Sequence, residues 1–132
     1  MTIMQIKLVR TFAEEFSLNR LQTNLETDEV EFTTFTVASA EASKRFFIGF
    51  NLALRVEDKN QFSVKYLAEF ECDTDVTPDM LEKHAFVQVN APAIAYPFMR
   101  AFIATILLNA GYEPPMLPAV NFQMLYKQRQ DE

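Results

Sequence analysis

The sequence is poor in the residues from which most catalytic and metal sites are built. It contains one cysteine, one histidine and two glycines among 132 residues, and no tryptophan. Cys72 has no partner for an internal disulfide, so the sequence gives no sign of an oxidising compartment. One histidine and one cysteine do not make a zinc site, and two glycines do not make a phosphate-binding loop. We therefore expect a protein that is not an enzyme and that uses no cofactor.

Basic residues are also scarce. Lysine and arginine total 12 against 18 aspartates and glutamates, which gives a formal net charge of −6. Because binding to a phosphate backbone requires a basic surface, this balance argues against a nucleic-acid partner. It favours a cationic protein partner or simple solubility.

A targeting or membrane segment is not expected. The N-terminus has no charged start followed by an apolar core and a small-residue cleavage site. The apolar run 91–110 contains Pro92, Pro97 and Arg100. Its uninterrupted part is shorter than the roughly 20 residues that a membrane span needs. We therefore predict a soluble cytoplasmic protein.

Apolar and aromatic side chains are present in excess. Hydrophobic residues make up 49% of the chain, including 13 phenylalanines. At 132 residues the chain is expected to form a single domain, 1–132, with one core. Such a core cannot hide so many aromatic rings, so we expect some of them to be covered by other polypeptides.

Period-two alternation predicts four β-strands in the first half, at about 6–18, 30–37, 46–56 and 62–72. The third is the clearest, because every even-numbered position from Phe46 to Val56 is apolar. In the second strand neither parity is cleanly apolar, so the face that it buries is unclear. In the first, Arg10 and Glu14 interrupt the apolar parity, whose members are Ile6, Leu8, Phe12, Phe16 and Leu18.

The second half is predicted to be helical. Thr77 and Pro78 provide an N-cap and a first-turn proline for a short helix. Residues 90–92, Asn-Ala-Pro, are expected to interrupt the chain before a longer helix at about 97–109, which ends at Gly111. Asn121 caps a last helix. The predicted fold class is α+β, a four-stranded antiparallel sheet followed by a short helix, a long apolar helix and a C-terminal helix.

The long helix is apolar around nearly its whole circumference. A helix of this kind is buried on more than one side. A two-sided core within one domain is the alternative, but a single four-stranded sheet offers only one inner face. We therefore predict burial between subunits, at an interface that contains Phe102, Ile103, Ile106 and Leu107.

Leu67 is the one apolar residue on the predicted outer face of the fourth strand. Its neighbours on that face are Lys65, Glu69, Glu71 and Asp73. A single exposed leucine is common in globular proteins. Framed by carboxylates, it is also suited to anchor a basic partner whose charge steers the encounter.

Two proline-containing segments resemble a known family. They are residues 90–100, NAPAIAYPFMR, and residues 117–122, LPAVNF. In their order, in their spacing and in following four strands, they are similar to elements of the SecB export chaperones. In that family an aromatic-Pro-aromatic-x-Arg element opens the long helix, and an apolar-Pro element ending in Val-Asn-Phe opens the last one. The architecture covers nearly the whole chain, and the close match covers about 92–126.

The resemblance implies a homotetramer, a dimer of dimers, with the long helices between the sheets. It implies hydrophobic grooves that hold unfolded preproteins without nucleotide, and docking of the SecA motor on the outer surface of the sheet. The residues at the matching docking positions are Glu15, Leu67 and Glu69.

Two departures from the family concern motor docking. A second acid of the family falls at Asn19, and we expect the family's longer C-terminal tail, which assists SecA binding, to be missing. SecB-like chaperones also accompany toxin–antitoxin pairs, where the client is an antitoxin. That role is the alternative within the family.

The mechanism that fits is a holdase, in which apolar grooves cover the apolar segments of unfolded chains. The groove candidates are Phe35, Val37, Tyr66, Phe98, Met116, Leu117 and Phe122. For each of them the alternative is an ordinary core position. Two other classes stay open: an enzyme or small-ligand binder with an apolar pocket between sheet and helices, and a structural oligomer without clients.

Overall fold

The helices follow the sheet in the chain and cover one of its faces. The structure is a computed structural model that describes residues 5–21 and 30–130. Four antiparallel strands form one sheet in the order β1-β4-β3-β2. They are β1 Ile6–Arg20, β2 Val30–Ala38, β3 Arg45–Val56 and β4 Asn60–Cys72. The helices are α1 Pro78–Lys83, α2 Ala91–Asn109 and α3 Phe122–Gln130, with a π-helical turn, Phe86–Asn90, directly before α2. The predicted α+β fold is confirmed.

β3 and β4 form the centre of the sheet, and the predicted alternation holds in both. Their buried side chains are Phe46, Ile48, Phe50, Leu52, Leu54 and Val56 in β3, and Phe62, Val64, Tyr66, Ala68, Phe70 and Cys72 in β4. The turn between the strands holds Glu57 at φ 52° and Asp58 at φ 60°. Residues with a β-carbon disfavour this left-handed region, so the turn carries strain.

β1 contains two β-bulges, which overturn the predicted face of Phe12. The pairing of β1 with β4 shifts register at two points, where Val9 and Glu14 are the extra residues. A bulge reverses the alternation of the side chains that follow it. Phe12, between the bulges, therefore lies opposite Leu67 on the outer face, whereas Phe16, after the second bulge, points inward.

β2 lies at an edge of the sheet, and the structure assigns the faces that its sequence left unclear. Phe32 packs against the core. Phe35 lies opposite Gly49 and Val37 lies opposite Phe47, so both point to the outer face. The strand therefore mixes apolar and polar side chains on both faces, which explains why neither parity of its sequence is distinctive.

The long helix begins earlier than predicted. α1 is capped as expected, because the Thr77 hydroxyl accepts from the Met80 N–H at 3.1 Å. Residues 90–92 do not interrupt the helix, since the π-helical turn leads directly into α2 and Pro92 occupies the first turn, where its missing N–H is not needed. Pro97 lies inside α2, but it and Ala93, whose carbonyl loses a donor, are both exposed to solvent.

The remaining helix ends follow the sequence prediction. Gly111 has φ 93° and lies just after α2. The Tyr112 N–H donates to the Leu107 carbonyl at 2.9 Å, which is the bond of a glycine C-cap. At the start of α3, the Asn121 Oδ1 accepts from the Met124 N–H at 3.0 Å.

The joined helical stretch Phe86–Asn109 is long and apolar enough to cross a membrane, by length and composition only, with a mean hydropathy of 1.5. The helical stretch is longer than the predicted 97–109, because the π-helical turn and residues 91–96 extend it, while Arg100 still interrupts its apolar run. Within the protomer, however, Met99, Ile103 and Leu107 are fully buried against the sheet. Part of the apolar surface of α2 is therefore explained by packing against the core of the protomer.

Candidate functional surfaces

α2 has a second apolar face, which the protomer leaves exposed. Its residues are three or four apart along the helix: Ile94, Phe98, Ala101, Thr105 and Leu108. We call this set the helix stripe. Phe98 is 46% exposed and Leu108 is 66% exposed. A long apolar stripe open to solvent is typical of a surface that binds another polypeptide.

The predicted interface residues divide between the two faces of α2. Ile103 and Leu107 are 1% and 0% exposed, because the sheet covers them. This corrects their assignment to a subunit interface, since they are core residues of the protomer. Phe102 and Ile106 are partly exposed beside the helix stripe. Phe102 also contacts Phe16 of β1, with ring centroids 5.3 Å apart, which extends the apolar surface onto the sheet.

The predicted client-groove residues do not form one groove. Tyr66 and Phe122 are buried in the core, which corrects their assignment to an open surface. Phe35 and Val37 lie on the outer face of the sheet, opposite the helices. These four residues therefore share no continuous surface with the exposed residues of α2.

Phe122 anchors α3 to the core through aromatic contacts. Its ring centroid lies 5.8 Å from that of Tyr96 and 6.2 Å from that of Phe50. The Tyr96 hydroxyl donates to the Pro118 carbonyl at 2.8 Å, which fastens the segment before α3. Burial raises the pKa of Tyr96, against the opposing effect of the Arg100 guanidinium, so the hydroxyl stays protonated and can donate.

The segment between α2 and α3 presents an exposed methionine. Met116 is 98% exposed, and Leu117 beside it is partly exposed. The segment is tied at both ends, because the Tyr112 hydroxyl accepts from the Asn60 side-chain amide at 3.2 Å and the Pro118 carbonyl accepts the bond described above. Its prolines further restrict the backbone. Met116 is thus held out on the helical side of the molecule.

The predicted docking residues lie on the outer face, but Glu69 presents no free carboxylate there. It is 6% exposed. The Arg10 Nε donates to its Oε1 at 2.7 Å, and the Arg45 Nη1 donates to its Oε2 at 3.4 Å. The bond from Arg10, followed by the charges of both arginines, lowers the pKa of Glu69 despite the opposing effect of desolvation. Glu15 is exposed and Leu67 is partly exposed.

Leu67 belongs to an apolar row that crosses all four strands. Its neighbours in the register are Phe12 of β1 and Gly49 of β3, and Gly49 pairs with Phe35 of β2. We call these four residues the outer band. A β-carbon on Gly49 would overlap the Phe35 ring, so the glycine makes room for that ring. The band therefore places three large apolar side chains in a row.

Next to the outer band the sheet surface forms a hollow of about 430 Å³. Its outward-facing lining residues are Glu15, Ser17, Glu31, Thr33, Asn51, Ala53, Ser63 and Lys65. This polar hollow is on the outer face, whereas a small-ligand site was expected to be apolar and between sheet and helices. Within residues 5–21 and 30–130, no group of three or more His, Cys, Asp or Glu side chains is placed to hold a metal ion.

Sequence reasoning missed two features of these surfaces. The helix stripe has a signal in the spacing of Ile94, Phe98 and Leu108, but it is hidden because the opposite face of α2 is equally apolar. The position of Phe12 has a weaker signal, since Arg10 and Glu14 mark where the alternation fails. Those interruptions indicate an irregular strand, but they predict neither the bulges nor the face that each side chain takes.

The family model described as preprotein translocase subunit SecB matches residues 4–132. A protein-export protein SecB of Burkholderia vietnamiensis is 27% identical over 127 residues, covering 91% of this chain and 79% of that protein. That of Anaplasma phagocytophilum is 30% identical over 66 residues, covering 50% of this chain and 42% of that protein.

A solved structure shares the fold. It is a SecB-like chaperone of Mycobacterium tuberculosis in complex with an antitoxin peptide, with 16% identity, a TM-score of 0.65 and 87% of each chain covered. The family match spans both the sheet and the helices described above. The chain therefore belongs to the family of the preprotein translocase subunit SecB.

Proposed function

We propose that the protein is a holdase, a chaperone that covers apolar segments of unfolded preproteins without ATP and passes them to a SecA-type motor. The observation that carries this proposal is the helix stripe together with Met116, which leaves large apolar side chains exposed on one side of the protomer. Family membership and the names of the relatives as protein-export proteins support it. We place the activity in the cytoplasm, with no cofactor.

The physical basis of holding is the burial of apolar surface. Each Å² of apolar surface removed from water stabilises a complex by roughly 25 cal/mol. An unfolded chain offers many such segments, and several bound at once gain from effective concentration. Flexible methionine and flat phenylalanine side chains fit varied sequences, as a promiscuous binder requires. Met116 and Phe98 provide one exposed side chain of each kind.

We propose that the exposed apolar surface is shared between further copies and clients. In a homotetramer, a dimer of dimers, other copies cover the helix stripe around Phe102, Ile106 and Leu108. Clients then bind around Phe98, Met116 and Leu117. The tied segment that carries Met116 supports this division, because it fixes an apolar side chain in solvent without covering it within the protomer.

Motor docking is proposed on the outer face of the sheet, around Glu15, Leu67 and the acid Glu69. This face is opposite α2, so a client on the helical side and a motor on the outer side do not compete for the same surface. An exposed apolar surface on the helical side also suits the alternative function, a chaperone whose client is an antitoxin. Purified chaperone offered a preprotein and an antitoxin at equal concentrations separates the two clients by which one it protects from aggregation.

The holding activity is tested by light scattering of two unrelated unfolded proteins diluted with and without the chaperone, in the absence of ATP. We expect scattering to fall to background near one chaperone tetramer per substrate. Met116→Ser should weaken this protection, whereas Met124→Ser, which changes an exposed methionine of α3, should not. No protection at excess chaperone rejects the holdase. It leaves a structural oligomer, or a small-ligand binder if one saturable ligand is found.

A further inference from the structure

We infer that the docking surface for the motor is the outer band, with Glu15 as its charged anchor, and that Glu69 acts by positioning Phe12. The inference rests on the motor docking proposed above. It adds Phe12 and Phe35 to that site and moves Phe35 away from the client groove.

Both carboxylate oxygens of Glu69 already accept hydrogen bonds within the protomer. The Arg10 Nε lies 2.7 Å from one oxygen and the Arg45 Nη1 lies 3.4 Å from the other. A basic group of a partner has to displace Arg10 before it reaches this carboxylate. The same guanidinium lies 4.6 Å from the centroid of the Phe12 ring. The first bulge places Phe12 on the outer face. Glu69 holds Arg10, and the Arg10 guanidinium in turn holds the Phe12 ring in place there.

Phe35 lies at the other end of the outer band, on the edge strand β2. Its ring lies over Gly49, where any β-carbon would overlap it. The Lys65 Nζ lies 5.6 Å from the ring centroid and 3.1 Å from a carboxylate oxygen of Glu14, so a paired cation covers one side of the ring. An aromatic ring that packs over a strand glycine in this way helps to pin the register of the sheet. Phe35 is therefore held for contact on the outer face.

The charges around the outer band indicate the chemistry of the partner. Within residues 5–21 and 30–130, the ion pairs of the outer face join Glu69 and Glu14 to cations, while Glu15 is exposed and enters none of them. Glu15 lines the hollow of about 430 Å³ beside the band, together with Glu31. The surface thus offers an apolar row beside an acidic, polar hollow. It fits a motor segment with an apolar side chain flanked by cations.

The test measures binding of the full chain to an immobilised SecA-type motor, with circular dichroism to confirm folding. Phe12→Ala and Phe35→Ala should each weaken binding about tenfold, as expected when a large aromatic contact of an interface is truncated. Gly49→Ala removes no apolar atom but displaces the Phe35 ring, so it should weaken binding as well. Gln61→Asn, an exposed change on the outer face of β4 outside the band and the hollow, should change affinity less than about twofold.

Two further measurements separate contact from positioning. Glu15→Gln should weaken binding and reduce its dependence on salt, because an exposed charge is lost. Glu69→Gln should weaken binding in the wild-type background but add less than about twofold in the Phe12→Ala background, since its effect passes through that ring. Phe35→Ala should still protect unfolded substrates from aggregation.

The outcomes distinguish this inference from the proposed function. If the wild-type chain binds the motor and Phe35→Ala binds it equally well, the inference is overturned while docking stands. Loss of substrate protection by Phe35→Ala, with docking unchanged, also overturns it and returns Phe35 to the client groove. A wild-type chain that does not bind the motor overturns both the docking proposal and this inference.

Discussion

Arg10 and Glu69 form an ion pair across the outer face of the sheet, with the Arg10 Nε 2.7 Å from the Glu69 Oε1. The two residues come from β1 and β4 and are paired in the register next to the first bulge of β1. The bulge brings Arg10 to the outer face, opposite the carboxylate. The pair therefore depends on the irregularity of β1, and it gives Glu69 a pKa below its ordinary value of 4.5.

Glu69→Gln should lower the free energy of unfolding by about 1–2 kcal/mol near neutral pH, because two charge-assisted hydrogen bonds are weakened. Since the pKa of Glu69 is lowered by folding, its stabilisation is present above the unfolded-state pKa and is lost as the pH falls through the folded-state pKa. The difference between wild type and variant should thus shrink below the ordinary value of 4.5. Urea unfolding at several pH values measures it.

The control for that prediction is Glu71→Gln, which changes an exposed glutamate two residues further along β4. Exposed charges contribute little to stability, so its effect should stay below about 0.5 kcal/mol at every pH. A difference between wild type and Glu69→Gln that does not vary with pH would contradict the assignment of the stabilisation to the ionised carboxylate.

Phe122→Ala should lower the free energy of unfolding by about 3–5 kcal/mol, since the ring anchors α3 in the core beside Tyr96 and Phe50. Met124→Ala, in the same helix but 57% exposed, should cost less than about 0.5 kcal/mol. Denaturant unfolding of the two variants at equal protomer concentration checks the pair. Equal stability of Phe122→Ala and wild type would mean that Phe122 is a surface residue after all.

Leu108→Asp should dissociate the proposed tetramer into smaller species. The leucine is 66% exposed in the protomer, so the change spares the core, but an interface that covers the helix stripe must then desolvate a charge. Asn109→Asp introduces the same charge one residue away, outside the stripe, and should leave assembly intact. Sedimentation velocity at micromolar protomer concentration distinguishes the two. Unchanged sedimentation of Leu108→Asp would exclude the stripe as the interface.

The turn between β3 and β4 offers a stabilising change. Glu57 and Asp58 both have positive φ, which Asn and Gly tolerate better. The double change Glu57→Asn with Asp58→Gly should therefore raise stability by about 1 kcal/mol and increase the melting temperature. Lys59→Gly, at the next position, relieves no such strain and should lower stability. A double variant that melts below wild type would refute the assignment of strain to this turn.

The features that the sequence predicted well are those set by local interactions. The faces of β3 and β4 follow from strict alternation, and Thr77, Gly111 and Asn121 cap their helices with groups only a few residues away. In each case the residue types that produce the structure lie next to one another in the chain. Contacts with distant segments are therefore not needed to decide which face a strand residue takes or where a helix begins or ends.

The features that the sequence did not predict depend on contacts between distant segments. α2 is apolar on all sides, so nothing in its sequence shows that Ile103 faces the sheet while Leu108 faces solvent. Alternation put Glu69 on the outer face, but its partner Arg10 is 59 residues away and reaches it through a bulge. A proline in a helical sequence predicts a break, yet Pro92 falls in the first turn of α2, where a helix accepts it.

Val9 and Glu14 are additional positions in β1, outside its alternation. Deleting either one leaves every other side chain of the strand on its present side of the sheet, whereas deleting Thr11 between them inverts the residues on one side of the gap. We therefore expect homologues to tolerate a difference in length at these two places. For a homologue that lacks one of the two residues, an alignment without a gap in β1 would match inward residues of one protein with outward residues of the other.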